Sequence, residues 1–134
     1  MQDEPAFGSE FGATLAQESS DRTVAECIRG LVEEEPFAVL CTQGEGQPYG
    51  SVVAFAFDHD LKSFVFATPR ATRKFRLLSQ CDQVALVVDN RGKFPGDLMK
   101  VGAVTITGKA QQLEPGPDFA DRARLLTARH PYLK

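Results

Sequence analysis

Three short apolar runs separated by tight turns decide what this chain can become. Phe37-Ala-Val-Leu-Cys-Thr42 is followed by Gly44-Glu-Gly46, and Tyr49 to Phe57 is followed by Asp58-His-Asp60 before Lys62 to Ala67 returns. Neither turn is long enough for a crossover, so the runs must pair as consecutive antiparallel hairpins. Gln83-Val-Ala-Leu-Val-Val-Asp89 reads as a fourth strand, and Asn90 to Asp97 as a longer loop. Val101 to Leu113 reads as a fifth strand, with Gly102 and Gly108 as bend or bulge points. The second run is apolar on both faces apart from Ser51, and the strands carry few charges. An open sheet of this kind would leave its edges exposed. The pattern predicts a mainly β chain whose antiparallel sheet closes into a small barrel with helices outside.

Helical periodicity flanks the strands. Val24, Cys27, Ile28, Leu31 and Val32 have the spacing of one buried stripe, with Ser20 or Asp21 placed as its cap. Glu33, Glu34 and Glu35 end that helix before Pro36 and read as a solvated terminus. Asp118 is expected to cap a last helix bearing Phe119, Ala123, Leu125 and Leu126. Residues 1–20 lack sustained periodicity and read as a loose arm, with Phe7 and Phe11 placed to anchor it, and the folded domain is expected over 21–134.

Between the third and fourth strands the chain changes character. Phe64-Val-Phe-Ala67 breaks at Pro69, and a helical pattern resumes with Phe75, Leu77 and Leu78 on its buried side. Arg70, Arg73, Lys74 and Arg76 cluster across the break with Thr68 and Thr72 and no acidic residue. A helix start has unsatisfied N–H groups and a partial positive charge, so cations there are mildly unfavourable alone. Backbone donors, two hydroxyls and several cations together suit a phosphate. The competing reading is a solvated basic helix face; the position of the charges at the junction favours the anion site.

The net charge of −3 makes this cluster a local feature of an acidic protein, and general nucleic-acid binding is not expected. Cys27, Cys41 and Cys81 are odd in number and show no CxxC spacing, which speaks against a metal site or a disulfide framework. No apolar run approaches the roughly 18 residues of a membrane span, and the start of the chain, with Asp3 and Glu4, lacks the basic character of a signal peptide. The expected location is the cytoplasm.

The segments Pro48-Tyr-Gly-Ser-Val-Val53, Phe66-Ala-Thr-Pro-Arg-Ala-Thr-Arg-Lys74, Val87-Val-Asp-Asn-Arg91 and Thr107-Gly-Lys-Ala110 occur in order, followed by His130-Pro-Tyr-Leu133. Together they resemble the pyridoxamine 5′-phosphate oxidase-like, FMN-binding split-barrel family over Asp21 to Lys134. The resemblance implies an antiparallel split β-barrel, with one or two last strands lacking here. It also implies a homodimer holding one FMN in each of two clefts at the subunit interface. Arg73 and Lys74 would then hold the FMN phosphate with help from Thr72, and Ala67 and Thr68 would lie beside the phosphate and ribityl chain. Ser51, Val52 and Val53 would line the isoalloxazine ring, largely through backbone groups, and Arg91 opens a loop placed to reach the flavin across the dimer. Two departures argue against pyridoxamine phosphate as substrate. The second strand carries no basic residue from Ser51 to Phe57, and Ala103 stands where the family has a glutamine.

No other catalytic constellation competes. Ser51 and Ser63 lack the neighbours of a hydrolase motif, and His59 reads as an exposed turn residue. His130 reads as a helix-end cap or, as the sharper alternative, a haem ligand. Tyr49 reads as hairpin packing or a stacking partner of the ring, and Cys41 and Cys81 as core or half-buried thiols. The leading expectation is an FMN-dependent oxidoreductase acting on an unidentified small molecule. The alternatives are a non-catalytic flavin- or haem-binding module and a split barrel that has lost its cofactor.

Overall fold

The structure is a computed structural model and describes residues 23–133. The arm read over residues 1–20, with Phe7 and Phe11, lies outside the described residues. In chain order the elements are α1 (Val24–Glu34), β1 (Phe37–Gly44), β2 (Gln47–Phe57), β3 (Phe64–Phe66), α2 (Arg73–Gln80) and β4 (Gln83–Asp89). Two single 3-10 turns, Arg91–Lys93 and Leu98–Lys100, precede β5 (Ala103–Lys109) and α3 (Pro117–Arg129). The strands form one sheet in the order β3-β2-β1-β4-β5. The described residues pack as two compact units, one of α1 with residues 87–106, the other of residues 37–86 with 107–133.

In the second unit the β1–β2 hairpin turns on two residues. Gly44 pairs with Gln47, leaving Glu45 and Gly46 at φ +55° and +79°, the left-handed pair that a two-residue turn of right-handed twist requires. The strands therefore run to Gly44 and from Gln47, beyond the Thr42 and Tyr49 limits expected. Gly44 serves a different purpose from Gly46. A Cβ there would lie 2.4 Å from Leu77 Cδ2 and 2.7 Å from Gln80 Oε1, so α2 rests directly on the strand backbone. On the same face Ala38, Leu40 and Thr42 are buried, and Leu40 and Phe55 are fully enclosed.

β2 and β3 pair only over Phe55–Phe57 and Phe64–Phe66, shorter than the Lys62–Ala67 strand expected. The reason lies in the turn: Asp58 Oδ1 accepts the N–H groups of Lys62 at 2.9 Å and Ser63 at 3.1 Å, and Leu61 sits at φ +60°. Burial of the Asp58 carboxyl opposes its ionisation, but hydrogen bonds led by the Ser63 backbone hold its pKa below the ordinary value. α3 starts at Gly116 with Pro117 in the first helical position, so Asp118 is a first-turn acid rather than the expected cap. Of its apolar residues Leu126 is buried, whereas Phe119 and Leu125 are exposed. Its end reaches the aromatic cluster of Phe55, Phe57 and Phe64, where the Arg129 guanidinium lies 4.6 Å from the centre of the Phe55 ring.

In the first unit Thr23, not Ser20 or Asp21, caps α1. Thr23 Oγ1 accepts the Glu26 N–H at 3.1 Å and Glu26 Oε1 accepts the Thr23 N–H at 2.9 Å, a reciprocal capping box. The glutamates at the other end are partnered rather than merely solvated. Glu33 lies 3.9 Å from Arg29, and Lys93 pairs with Glu34 and lies 3.9 Å from Glu35. The hydrogen bond that Lys93 donates to the Glu34 carboxylate raises the Lys93 pKa. Asn90 clasps Gly102: its Oδ1 accepts the Gly102 N–H at 2.7 Å and its own N–H reaches the Gly102 carbonyl at 3.1 Å. That clasp holds Val101 and Gly102 out of the fifth strand, which begins at Ala103 and ends at Lys109 rather than Leu113. Val32 and Val88 are fully buried in this unit. No helix among the described residues is long and apolar enough to cross a membrane.

Replacing Gly44 by alanine should destabilise the fold by about 1–3 kcal/mol, because buried Leu77 has to move. Gly108→Ala, with nothing within 4 Å of the added carbon, is the control in urea denaturation. Equal, small shifts at both positions would mean that α2 does not rest on Gly44.

Candidate functional site

The hairpin register dictates which backbone groups of β2 are free. Gly44 and Gln47 close the turn as a hydrogen-bonded pair, and such pairs recur at every second residue. Tyr49, Ser51 and Val53 therefore turn their N–H and C=O toward β1, while Gly50 and Val52 turn theirs toward the opposite edge. β3 pairs only from Phe55 onward, so Val52 meets no strand on that edge. Past Phe66 the chain departs from β2, and the wedge it leaves is a cavity of about 410 Å³. Val52, Val53 and Ala54 line it together with Ala67, Thr68 and Pro69, and Lys74 and Leu133 complete it. The volume is in the range of cofactor and small-ligand sites. Its walls are largely apolar, and Lys74 supplies their charge.

The corner between β3 and α2 is built by two hydroxyls. Thr72 Oγ1 is the helix cap: it accepts the Phe75 N–H at 3.3 Å and donates to the Pro69 carbonyl at 2.8 Å. Thr68 Oγ1 lies 2.8 Å from it and 3.4 Å from the Pro69 carbonyl oxygen, so the two hydroxyls and that carbonyl form one hydrogen-bonded cluster. The N–H groups of Arg73 and Lys74 precede the first intrahelical bond and find no acceptor among the described residues. The first turn holds no acid, and among the described residues no carboxylate pairs with Lys74. Unsatisfied donors, the helix dipole and an ammonium thus converge at one end of an apolar cleft.

The residues singled out from sequence divide on this geometry. Val52, Val53, Ala67, Thr68 and Lys74 share the cavity. Thr72 shapes its corner but has its hydroxyl committed to capping. Arg73 does not line it; its guanidinium lies 5.3 Å from the centre of the Tyr49 ring, a cation–π contact that gives Tyr49 a role sequence reasoning did not assign. Ser51 faces away from Val52, and its enclosed hydroxyl has no hydrogen-bond partner among the described residues. Arg91 belongs to the other unit, where its Nε and its backbone N–H both reach Asp89 Oδ1, at 3.0 and 2.9 Å. Ala54, Pro69 and Leu133 were not assigned to the site, although Pro69 and Leu133 lie inside the quoted segments 66–74 and 130–133 and Ala54 directly follows the segment 48–53.

His130 is 3% exposed, with Nε2 2.8 Å from the Phe55 carbonyl oxygen. Its ring stacks on Phe37 at 6.3 Å and meets the edge of Tyr132 at 5.9 Å. The backbone N–H of His130 closes the helix on Leu126, while the ring is committed to the strand. His59 is exposed, and no group of His, Cys, Asp and Glu among the described residues is arranged to hold a metal ion.

Thr72→Ala should therefore lower stability by about 1 kcal/mol, the usual loss for a helix cap, while Thr72→Ser leaves it nearly unchanged. Thermal unfolding of both variants checks this. No loss in the alanine variant would mean that the hydroxyl is not needed as a cap.

The pyridoxamine 5′-phosphate oxidase family model matches residues 24–131. No curated protein matches the sequence. Among solved structures, the chain is similar to the haem storage protein HutZ of Vibrio cholerae, with a TM-score of 0.66 and 17% identity over 76% of this chain and 72% of that one. A haem-binding protein of Mycobacterium smegmatis gives 0.66 and 19% over 78% and 43%. A protein of unknown function from Agrobacterium tumefaciens gives 0.62 and 24% over 73% and 41%. The chain thus spans less than half the length of the latter two. At such identities the likeness concerns the fold, an antiparallel five-stranded sheet with flanking helices of the split-barrel type. With most of its length matched by the family model and its fold shared with these structures, the chain belongs to the pyridoxamine 5′-phosphate oxidase family of split-barrel proteins.

Proposed function

We propose that this protein binds FMN in the β2–β3 wedge and acts as an FMN-dependent oxidoreductase on a small molecule. One observation carries the reading: the cavity is apolar along β2 and ends in the unsatisfied donors and ammonium at the start of α2. FMN has the same polarity, a flat ring with a hydrogen-bonding edge joined through a ribityl chain to a phosphate. Val52, Val53 and Ala67 would hold the ring, with the free N–H and C=O of Val52 available to its polar edge. Lys74 and the N–H groups of Arg73 and Lys74 would hold the phosphate. Arg73 can join them, because a surface cation–π contact is worth about 0.5–1 kcal/mol and a charge-assisted hydrogen bond about 1.5–3 kcal/mol. A bound flavin supplies hydride and electron chemistry, and the chain's own task is to bind and orient it. β2 holds no Lys or Arg, which speaks against pyridoxamine phosphate as the substrate.

A second reading, haem binding, is favoured by what the Vibrio and Mycobacterium proteins are said to bind. His130 would have to give up its buried bond to Phe55 to serve as a ligand, which weighs against this residue in that role.

Titration decides between them. Lys74→Ala should weaken FMN roughly ten- to a hundredfold and leave riboflavin, which has no phosphate, nearly unchanged. Arg73→Ala should lose less, by the contact it already makes with Tyr49. Equal losses for FMN and riboflavin would remove the phosphate assignment. A wild-type protein that takes up haemin and neither flavin would move the reading to haem.

We also propose a homodimer. Val52 is 68% exposed, Phe37 50% and Tyr132 66%, all in the unit that holds the cavity. A second copy covering them would shield both the apolar surface and the open edge of β2. Light scattering should report a dimer at micromolar concentration, and Val52→Asp should shift it toward monomer. A wild-type monomer would overturn the proposal.

A further inference from the structure

The carbonyl of Phe55 is available because of what precedes β1. By the hairpin's alternation it points to the β1 side, but β1 begins at Phe37 and the residue before it is Pro36, which has no N–H to give. α3 supplies donors instead. Arg129 Nη1 reaches this oxygen at 3.2 Å, and His130 Nε2 lies 2.8 Å from it inside the protein. A carbonyl only accepts, so the His130 ring carries its proton on Nε2. Three residues on, the Leu133 N–H donates to the His130 carbonyl at 2.9 Å, closing a turn stiffened by Pro131. Leu133 lines the cavity, and so does Ala54, next to Phe55 in β2. One histidine thus ties the turn that carries Leu133 to the strand that carries Val52, Val53 and Ala54.

We propose that His130 is a positioning residue for this cavity, setting how closely Leu133 stands to β2 and hence how well an apolar ring is gripped. That the ring belongs to a flavin rests on the function proposed above; the coupling of His130 to Leu133 does not. A helix-end cap would need only the backbone N–H, which Leu126 already receives. The buried ring is additional, and what it reaches is the cavity's own strand.

The test uses His130→Phe, which retains an aromatic ring between Phe37 and Tyr132 without the donor, and His130→Gln, whose amide nitrogen has about the reach of Nε2. Leu133→Ala removes the wall and leaves the buried bond in place. In flavin-free protein, amide exchange at Leu133 should quicken in His130→Phe and return toward the wild-type rate in His130→Gln. In titrations, His130→Phe and Leu133→Ala should weaken FMN and riboflavin alike, by roughly three- to tenfold, the loss expected for one hydrogen bond or one apolar contact. Lys74→Ala, by contrast, should affect FMN alone. An unchanged Leu133 amide in His130→Phe overturns the positioning role. So does flavin binding by Leu133→Ala at wild-type strength, which decides the matter even if His130→Phe fails to fold. A wild-type protein that binds neither flavin overturns the flavin reading, and the amide exchange then still decides the role of His130.

Discussion

The Glu45-Gly46 turn governs more of this molecule than its two residues suggest. By making Gly44 and Gln47 a hydrogen-bonded pair, it assigns each residue of β2 a face for its side chain and a direction for its backbone groups. Val53 and Phe55 go to the core, Val52 goes outward, and the polar groups of Val52 turn to the edge that β3 leaves open. A register slipped by one residue would exchange all of these roles at once. The strain of a non-glycine residue at φ +55° is small beside that consequence.

Two local structures shorten β3 from its two ends, and the one past Phe66 opens the wedge. At its start the Asp58 carboxylate draws the N–H groups of Lys62 and Ser63 into a turn. At its finish the Thr68–Thr72 hydroxyl pair and Pro69 commit the chain to α2. Polar side chains thus take over where strand hydrogen bonds stop, leaving an apolar gap with a cationic end. The geometry that opens the gap is the same geometry that starts the helix, so cleft and charge arise together.

The hairpins and the basic corner were legible in the sequence because turn chemistry and helix starts are local properties. Resemblance to the family reached the same segments and added the assignment of the fold. What escaped depends on partners distant in sequence or on atoms rather than residue types. Leu133 enters the cavity through a histidine that binds a strand far back in the chain, and no periodicity announces that. Arg73 and Lys74 are neighbours of like charge, and only the position of Tyr49 separates them into one arm resting on an aromatic ring and one facing the cleft. The start of the fifth strand was overrun because Asn90 competes for Gly102, a contest that apolar alternation does not register. The Thr23 cap, by contrast, carried a readable Thr-x-x-Glu signature that nearer acidic and hydroxyl residues obscured.

The clasp between Asn90 and Gly102 has a consequence for how such a chain can change over time. Reciprocal hydrogen bonds close the intervening loop at its neck, so the segment is bounded by its own attachment rather than by what its tip contacts. At that tip Leu98 and Met99 are 76% and 82% exposed. Substitutions at that exposed tip are insulated from β4 and β5, whereas Lys93, paired with Glu34, and buried Val101 tie the rest of the segment to the fold. Change at Leu98 and Met99 therefore reaches the sheet only through a neck that backbone and amide hydrogen bonds already close.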